Sequence, residues 1–270
     1  SWELIGNFMT TVFEKAGVPA ADAKVCAEIL MESDRRGIES HGCNRFKPIY
    51  IDRIRQGILN PVTEFEIIKE TPTTAVVDGH NGMGMVIGKQ AMEMAIDKAK
   101  KCGMGMVAVR NSTHYGIAGY YAKMACDQGL IGMSFTNSEA IMVPTFARKA
   151  MLGSNPIALA MPAKPYPFFF DASTTVVTRG KLEMYRKAEK ELPQGWALDK
   201  DGNPSCDAPD VLDNIANKIG GGIMPLGGST EQLGSHKGYG YGMFCEIFCS
   251  ILSQGLTSNH THIDGVGGTC

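Results

Sequence analysis

The sequence predicts an α/β protein in two parts: an N-terminal helical region over residues 1–62 and an α/β region over residues 63–270. In the first part, apolar residues recur at the spacing of an amphipathic helix. In the second part, short β-branched runs alternate with helical segments, which is typical of a sheet covered by helices. The boundary is placed near residue 62, where consecutive helical segments give way to alternating strands and helices.

Three helices are predicted in the N-terminal region. Leu4, Phe8 and Val12 stand four residues apart and predict a helix over residues 3–16, which Gly17 ends. The same reasoning predicts helices over 19–36 and 46–55.

The rest of the chain alternates between predicted strands and helices. Helical spacing returns from Met92 to Gly103. Strands are predicted at 73–77, 104–109, 130–135, 156–161 and 168–170, and further helices at 117–128, 180–191 and 239–253.

A glycine-rich segment between a predicted strand and helix, residues 82–88, resembles a dinucleotide-binding fingerprint but does not match it. Its pattern, Gly-x-Gly-x-x-x-Gly, is one residue too long, and the next strand ends at Arg110 and Asn111 without an acidic residue for a ribose hydroxyl. We interpret the segment as a turn that brings backbone close to a neighbouring element. Any nicotinamide cofactor would therefore be bound by a fold other than the Rossmann fold.

Charge and composition limit the partners and the compartment. With 26 basic and 28 acidic residues, the formal net charge is -2, which argues against a nucleic-acid or anionic-membrane partner. The eight cysteines include no Cys-x-x-Cys pair and are expected to be reduced, as in the cytoplasm. No segment reaches the roughly 18 apolar residues of a membrane span.

Two histidine motifs at predicted element ends can carry chemistry. Ser40 and His41 follow the second helix, with Arg45 four residues after His41; this group either caps the surface or binds an anion. His114 follows a strand and precedes a helix, which is the usual ligand edge of an α/β sheet.

Other candidates have two interpretations each. Residues 234–240, which include Lys237, open the last helix and suit either a phosphate or a flexible lead-in. Ser138 and Asp171 follow predicted strands and either bind a ribose or cap a turn. Cys245 and Cys249 lie one helical turn apart, but core packing is favoured over a zinc site, so no metal is expected.

Five motifs in a fixed order resemble the malate/L-lactate dehydrogenase family. They are DRRGIESHGCNR (34–45), RNSTHYG (110–116), TNS (136–138), GSNP (153–156) and SHKGYG (235–240). The resemblance implies a mixed-sheet, non-Rossmann NAD(P)-binding fold and a homodimer, and it explains why the fingerprint fails. The chain is expected to lack the family's usual C-terminal segment.

The resemblance also implies roles for individual residues. His114 would be the catalytic acid/base. The substrate carboxylate would be bound by Ser40, His41 and Arg45, and the cofactor, NAD or NADP, by Ser138, Asp171, Ser173 and Lys237.

The implied reaction moves a hydride between nicotinamide and a small 2-hydroxy acid. Malate, oxidised to oxaloacetate, is the leading substrate. A same-family enzyme for lactate, ureidoglycolate, sulfolactate or a cyclic imine is the first alternative, and a catalytically silent dinucleotide-binding protein is the second.

Overall fold

The computed structural model describes residues 1–261, so His262 and Cys270 lie outside the described residues. Two long helices, α1 (Trp2–Lys15) and α2 (Ala20–Arg35), pack against each other at the N-terminus. The Ser1 side chain accepts a hydrogen bond from the Leu4 amide, which caps the first turn of α1. Both helices agree with the predicted ones to within a residue or two.

The third predicted helix is present but has an unusual shape. After two 3-10 turns, Glu39–His41 and Cys43–Arg45, the chain forms a π-helix over Phe46–Ile51 and then the short α3 (Asp52–Arg55). A π-helix is wider than an α-helix, is rare, and is frequent at functional sites.

The α/β region alternates strands and helices as predicted. Its elements are β1 (Glu66–Glu70), β2 (Thr74–Asp78), α4 (Gly84–Cys102), β3 (Met106–Arg110), α5 (Ala118–Cys126), β4 (Gly132–Phe135), β5 (Ile157–Met161), β6 (Phe168–Ala172), α6 (Arg179–Lys187), β7 (Ala197–Leu198), β8 (Pro204–Ser205), α7 (Ala208–Asn217), β9 (Gly222–Ile223) and α8 (Ser235–Glu246). A π-helix over Ile247–Ile251 continues α8, and a 3-10 turn follows at Ser258–His260.

The described strands form three small sheets of mixed character. The first has the order β1-β2-β3, with β1 and β2 antiparallel and β2 and β3 parallel. The second, β4-β5-β6, and the third, β8-β7-β9, are antiparallel. The mixed-sheet prediction is confirmed.

The core of the N-terminal helices extends beyond residue 62. Phe13 stacks edge-on against Phe46 at 4.9 Å between ring centroids and against Tyr50 at 6.0 Å. Met83 and Tyr121, from the α/β region, belong to the same buried cluster. The N-terminal helices thus pack directly against the elements that carry the candidate site.

Two helices begin earlier than predicted. Helix α4 begins at Gly84, inside the glycine-rich segment, and only glycine fits at this position because a Cβ would lie 2.1 Å from the Thr113 carbonyl oxygen. The interpretation as a close backbone approach was right, but the turn is shorter than expected. Helix α8 begins at Ser235, four residues before the predicted start.

None of the helices in the described part of the chain combines the length and the apolar content that a bilayer crossing requires.

Candidate active site

His114 lies in the loop between β3 and α5, as predicted. The preceding residue anchors this loop: Thr113 Oγ1 accepts a hydrogen bond from the Gly84 amide at 2.9 Å and donates one to the Gly82 carbonyl at 2.7 Å. The start of α4 therefore fixes the backbone next to His114.

The His114 ring is held on one side and keeps some exposed surface. Its Nδ1 lies 2.6 Å from Tyr50 Oη and accepts a 3.2 Å hydrogen bond from the Gly116 amide. Burial lowers the pKa of His114 well below its usual value, and the nearby His41 and Arg53 act in the same direction. His114 is therefore neutral at pH 7 in the ligand-free protein.

His41 stacks on His114, with ring centroids 5.6 Å apart and planes at 22°. The Ser40 hydroxyl lies 2.8 Å from His41 Nδ1. Burial, together with the positive charge of Arg45, lowers the pKa of His41 to about 4. The two imidazoles thus form a neutral, stacked pair.

Arg45 completes this group. Its Nε donates to the Ser40 carbonyl at 2.6 Å, and its Nη2 lies 3.3 Å from Glu183 Oε2. The structure therefore brings together the four residues predicted to act on the substrate. They come from two separate places, the turns after α2 and the loop after β3, and Glu183 adds a contact from α6.

A chain of ion pairs extends from Arg45 across α6. Arg179 Nη1 lies 3.3 Å from Glu139 Oε2. Arg179 Nε lies 3.4 Å from Glu183 Oε1 but makes no well-aligned hydrogen bond. These contacts are long for ion pairs, so a bound anion could exchange with the glutamates at modest cost.

Sequence reasoning missed Tyr50, Glu183 and the site role of Arg179. Tyr50 lies in the segment predicted as the third helix, and its ring is buried. The sequence offers one signal for this contact. The hydroxyl of a buried tyrosine usually has a hydrogen-bond partner, but the sequence does not show which residue that partner is.

Two of the predicted cofactor residues lie in one cluster of loops. The Ser138 amide donates to Asn155 Oδ1 at 3.1 Å, and Ser138 Oγ accepts from the Ser154 amide at 3.1 Å. The residue after Ser173 reaches the same loop, since the Thr174 amide donates to the Ser154 carbonyl at 2.9 Å.

The other two predicted cofactor residues make no hydrogen bond to that cluster in the described part of the chain. Asp171 Oδ2 accepts the Gly119 amide at 2.7 Å in the first turn of α5, and burial raises the pKa of this carboxyl. Lys237 is exposed in the first turn of α8. Across residues 1–261, no hydrogen bond or ion pair joins Lys237 to Ser138, Asp171 or Ser173.

Comparison with known proteins identifies the family. The sequence model of the malate/L-lactate dehydrogenase family matches residues 1–268. This chain belongs to the malate/L-lactate dehydrogenase family. The resemblance and the non-Rossmann fold inferred from the sequence are thereby confirmed.

Relatives within the malate/L-lactate dehydrogenase family are close. A malate dehydrogenase of Pyrococcus abyssi is 48% identical over 254 residues, which span 94% of this chain and 68% of that protein. An L-sulfolactate dehydrogenase of Methanocaldococcus jannaschii is 44% identical and covers 89% of this chain and 65% of its own length. The crystal structure of a malate dehydrogenase from Entamoeba histolytica superposes with a TM-score of 0.93 at 44% identity, covering 96% of this chain and 72% of that one.

Proposed function

We propose that this chain oxidises malate to oxaloacetate with NAD or NADP and catalyses the reverse reduction. The observation that carries the proposal is the convergence of His114, His41, Ser40 and Arg45 in one cluster of side chains. An acid/base imidazole next to a guanidinium fork is the equipment that a 2-hydroxy acid requires.

His114 would move the proton. In the oxidative direction the neutral imidazole takes the hydroxyl proton while the hydride leaves the same carbon, and in the reductive direction the imidazolium returns that proton to the carbonyl oxygen. The negative charge of a bound acid favours the protonated imidazole, which offsets part of the lowering of the pKa by burial.

Arg45 would orient the acid. Its planar guanidinium can bind a carboxylate through two parallel hydrogen bonds, which fixes the adjacent carbon relative to the nicotinamide. Arg179, linked to Arg45 through Glu183, is placed to attract a second acidic group. This second arginine favours a dicarboxylic acid over lactate.

The cofactor residues supply a donor set that suits a dinucleotide. The hydroxyls of Ser138 and Ser173 can bind ribose or phosphate oxygens, and the cation of Lys237 can bind a phosphate. Across residues 1–261, Asp171 uses only Oδ2 in a hydrogen bond, which leaves Oδ1 for a ribose hydroxyl. When bound, the nicotinamide supplies or accepts the hydride.

Sulfolactate is the second candidate substrate. The 44% identical relative from Methanocaldococcus jannaschii is an L-sulfolactate dehydrogenase, and a sulfonate carries the same charge as the distal carboxylate of malate. Arg179 could serve either group, so only a substrate panel separates the two.

The decisive experiment follows nicotinamide absorbance with malate, sulfolactate, lactate, ureidoglycolate and a cyclic imine, each with NAD and NADP. We expect the highest kcat/KM with malate. His114→Ala should abolish turnover while cofactor binding, measured by fluorescence titration, persists. A fully active His114→Ala variant would refute the catalytic assignment. Dinucleotide binding without turnover of any substrate would instead favour a catalytically silent binding protein.

We also infer a homodimer. The last helical segment exposes Phe244, Ile247 and Ile251, which are 38%, 46% and 62% accessible. Neighbouring exposed apolar side chains are typical of a protein interface. Light scattering coupled to size-exclusion chromatography should give twice the chain mass; a monomer at micromolar concentration would contradict this inference.

We place the protein in the cytoplasm. Among residues 1–261, Cys26 and Cys245 are free thiols that are buried in the core. Free buried thiols are typical of a reducing compartment. Cell fractionation tests this assignment.

A further inference from the structure

Tyr50 makes a contact with the candidate acid/base that the proposed function does not yet use. Its hydroxyl oxygen lies 2.6 Å from His114 Nδ1. The Tyr50 ring is fully buried, edge-on to Phe13 and edge-on to the His114 ring at 5.6 Å and 82°. Such packing from two sides leaves the hydroxyl little freedom to move away.

The backbone determines which form of His114 is present in the ligand-free protein. The Gly116 amide points at Nδ1 from 3.2 Å, and a backbone amide can only donate a hydrogen bond. Nδ1 therefore presents a lone pair, and Tyr50 donates to it as well. Neutral His114 consequently carries its single proton on Nε2.

The other ring nitrogen is the one available to a ligand. Within residues 1–261, His114 makes its side-chain hydrogen bonds through Nδ1, and Nε2 is not among the buried polar atoms without a partner. In the ligand-free protein, Nε2–H is thus ready to donate to the carbonyl oxygen of a 2-oxo acid.

Turnover requires Nδ1 to change its role. In reduction, the protonated imidazole gives the Nε2 proton to the substrate oxygen as the hydride reaches the carbon. The product imidazole then carries its remaining proton on Nδ1. Oxidation begins from that same Nδ1–H form, because Nε2 must have a free lone pair to take the alcohol proton.

Only one of the two partners of Nδ1 can follow this change. The Gly116 amide repels an Nδ1–H group, whereas a hydroxyl can turn from donor to acceptor. A hydrogen bond from a charged imidazolium is also roughly twice as strong as one between neutral groups.

We propose that Tyr50 is a positioning residue that holds His114 through Nδ1: it donates a hydrogen bond to Nδ1, beside the Gly116 amide, in the ligand-free Nε2–H tautomer, and it accepts a hydrogen bond from Nδ1–H during turnover. The geometry that carries this proposal is the 2.6 Å contact together with the Gly116 amide. The catalytic part of the proposal rests on the proposed function of His114, whereas the tautomer does not.

The tautomer is tested on the wild-type protein without substrate. Nitrogen-15 NMR of histidine-labelled protein at pH 7 should show His114 neutral, with the proton on Nε2; a His114→Gln sample assigns the signal. In Tyr50→Phe, the Nδ1 resonance should move downfield because a hydrogen-bond donor is lost. A wild-type spectrum with the proton on Nδ1 would overturn the proposal, and so would an unmoved Nδ1 resonance in the variant.

The role in turnover is tested by steady-state kinetics. Tyr50→Phe keeps the buried ring and should lower kcat for oxo-acid reduction about tenfold or more, the loss expected from one hydrogen bond to a charged group. The KM should change less than threefold. Tyr120→Phe, whose hydroxyl contacts Glu28 instead, is the matched control and should match wild type.

The outcomes separate this inference from the proposed function. If wild type turns over 2-hydroxy acids, His114→Ala is inactive and Tyr50→Phe has wild-type kcat, then the turnover role of Tyr50 is wrong and the proposed function stands. If no 2-hydroxy acid is turned over, the proposed function fails, and the NMR result still decides the tautomer.

Discussion

At the scale of single residues, the site depends on side chains whose charge and direction are set by close neighbours. Arg45 is an example, because its Nε is bound by the Ser40 carbonyl at 2.6 Å. Among residues 1–261, the other edge of the guanidinium makes one long contact, to Glu183. The Ser40 carbonyl therefore orients the Arg45 side chain, while other N–H donors of the guanidinium remain available for a carboxylate.

Arg45→Ala should chiefly raise KM for the acid. Losing hydrogen bonds to a charged group costs about 1.5–3 kcal/mol, or about 10- to 100-fold in KM. kcat should fall much less, since His114 is untouched. Arg35→Ala, a partly exposed arginine of α2, is the control and should leave KM unchanged. An Arg45→Ala variant with wild-type KM would remove Arg45 from the substrate site.

His41 makes the stability of the protein depend on pH. Burial holds its folded-state pKa at about 4, whereas an unfolded histidine titrates near pH 6.5. Between these values the unfolded chain binds the extra proton, so the free energy of unfolding should decrease as the pH falls from about 6.5 towards 4.

The measurement is urea unfolding at pH 8, 6, 5 and 4.5. The full shift corresponds to a loss on the order of 3–4 kcal/mol. His41→Gln should lose less of its free energy of unfolding between pH 8 and pH 4.5, because glutamine at position 41 does not titrate. Each protein is compared with its own value at pH 8, where His41 of the wild type is neutral. Equal pH dependence in the two proteins would mean that position 41 is not desolvated as the structure has it.

At the scale of elements, helix α6 forms one wall of the site because its first turn approaches the N-terminal region closely. A Cβ at Gly180 would lie 2.8 Å from Arg45 Nη2 and 3.1 Å from Ser40 Cβ. Glycine at this position lets the helix lie directly on the predicted substrate residues.

Gly180→Ala should therefore displace Arg45 and raise KM several-fold, while the melting temperature changes little because one contact is a flexible side chain. Gly240→Ala is the matched control, since nothing lies within 4 Å of a Cβ at that position of α8. It should stabilise the helix by up to about 1 kcal/mol and leave KM unchanged. Equal kinetics in both variants would contradict the close approach of α6.

The π-helix over Phe46–Ile51 also acts at this scale. The sequence predicts a regular helix here, because apolar spacing cannot distinguish 3.6 residues per turn from the wider π-helix over six residues. The wider turn carries Tyr50 to His114, a contact 64 residues apart in the chain. In this position the Tyr50 ring also packs edge-on against Phe13 of α1.

At the scale of the whole molecule, α8 is tied to the loops of the predicted cofactor site by one buried carboxylate. Glu246 accepts hydrogen bonds from Asn155 Nδ2 at 2.8 Å, from the Ser258 amide at 3.0 Å, and from the Ser258 hydroxyl. Asn155 in turn binds the Ser138 amide. The carboxylate therefore supports the loop that carries Ser138.

Glu246→Gln should lower the free energy of unfolding by about 1–3 kcal/mol, because an amide NH₂ would face buried donors. It should also weaken dinucleotide binding by shifting the loop at Ser138. Glu231→Gln, on the exposed surface, is the control and should change neither quantity. Unchanged stability in Glu246→Gln, measured by urea unfolding, would refute the bridging role.

The sequence by itself determined the elements that local pattern specifies. The helices α1 and α2, the strands from β2 to β6 and the loop position of His114 follow from apolar periodicity and from glycine at their ends. The five motifs, read in order, were enough to indicate the family, and the family's sequence model matches residues 1–268.

The tertiary structure alone decided how those parts meet. The strands β7, β8 and β9 have two residues each, so their identity comes from partners distant in the chain and not from any local pattern. The pairing of Tyr50 with His114, and of Arg45 with Glu183, likewise arises only when helices from separate segments pack together. Hydrogen bonds and ion pairs at such sequence separations carry no periodic signal, so sequence reasoning could name the chemical groups without predicting which of them touch.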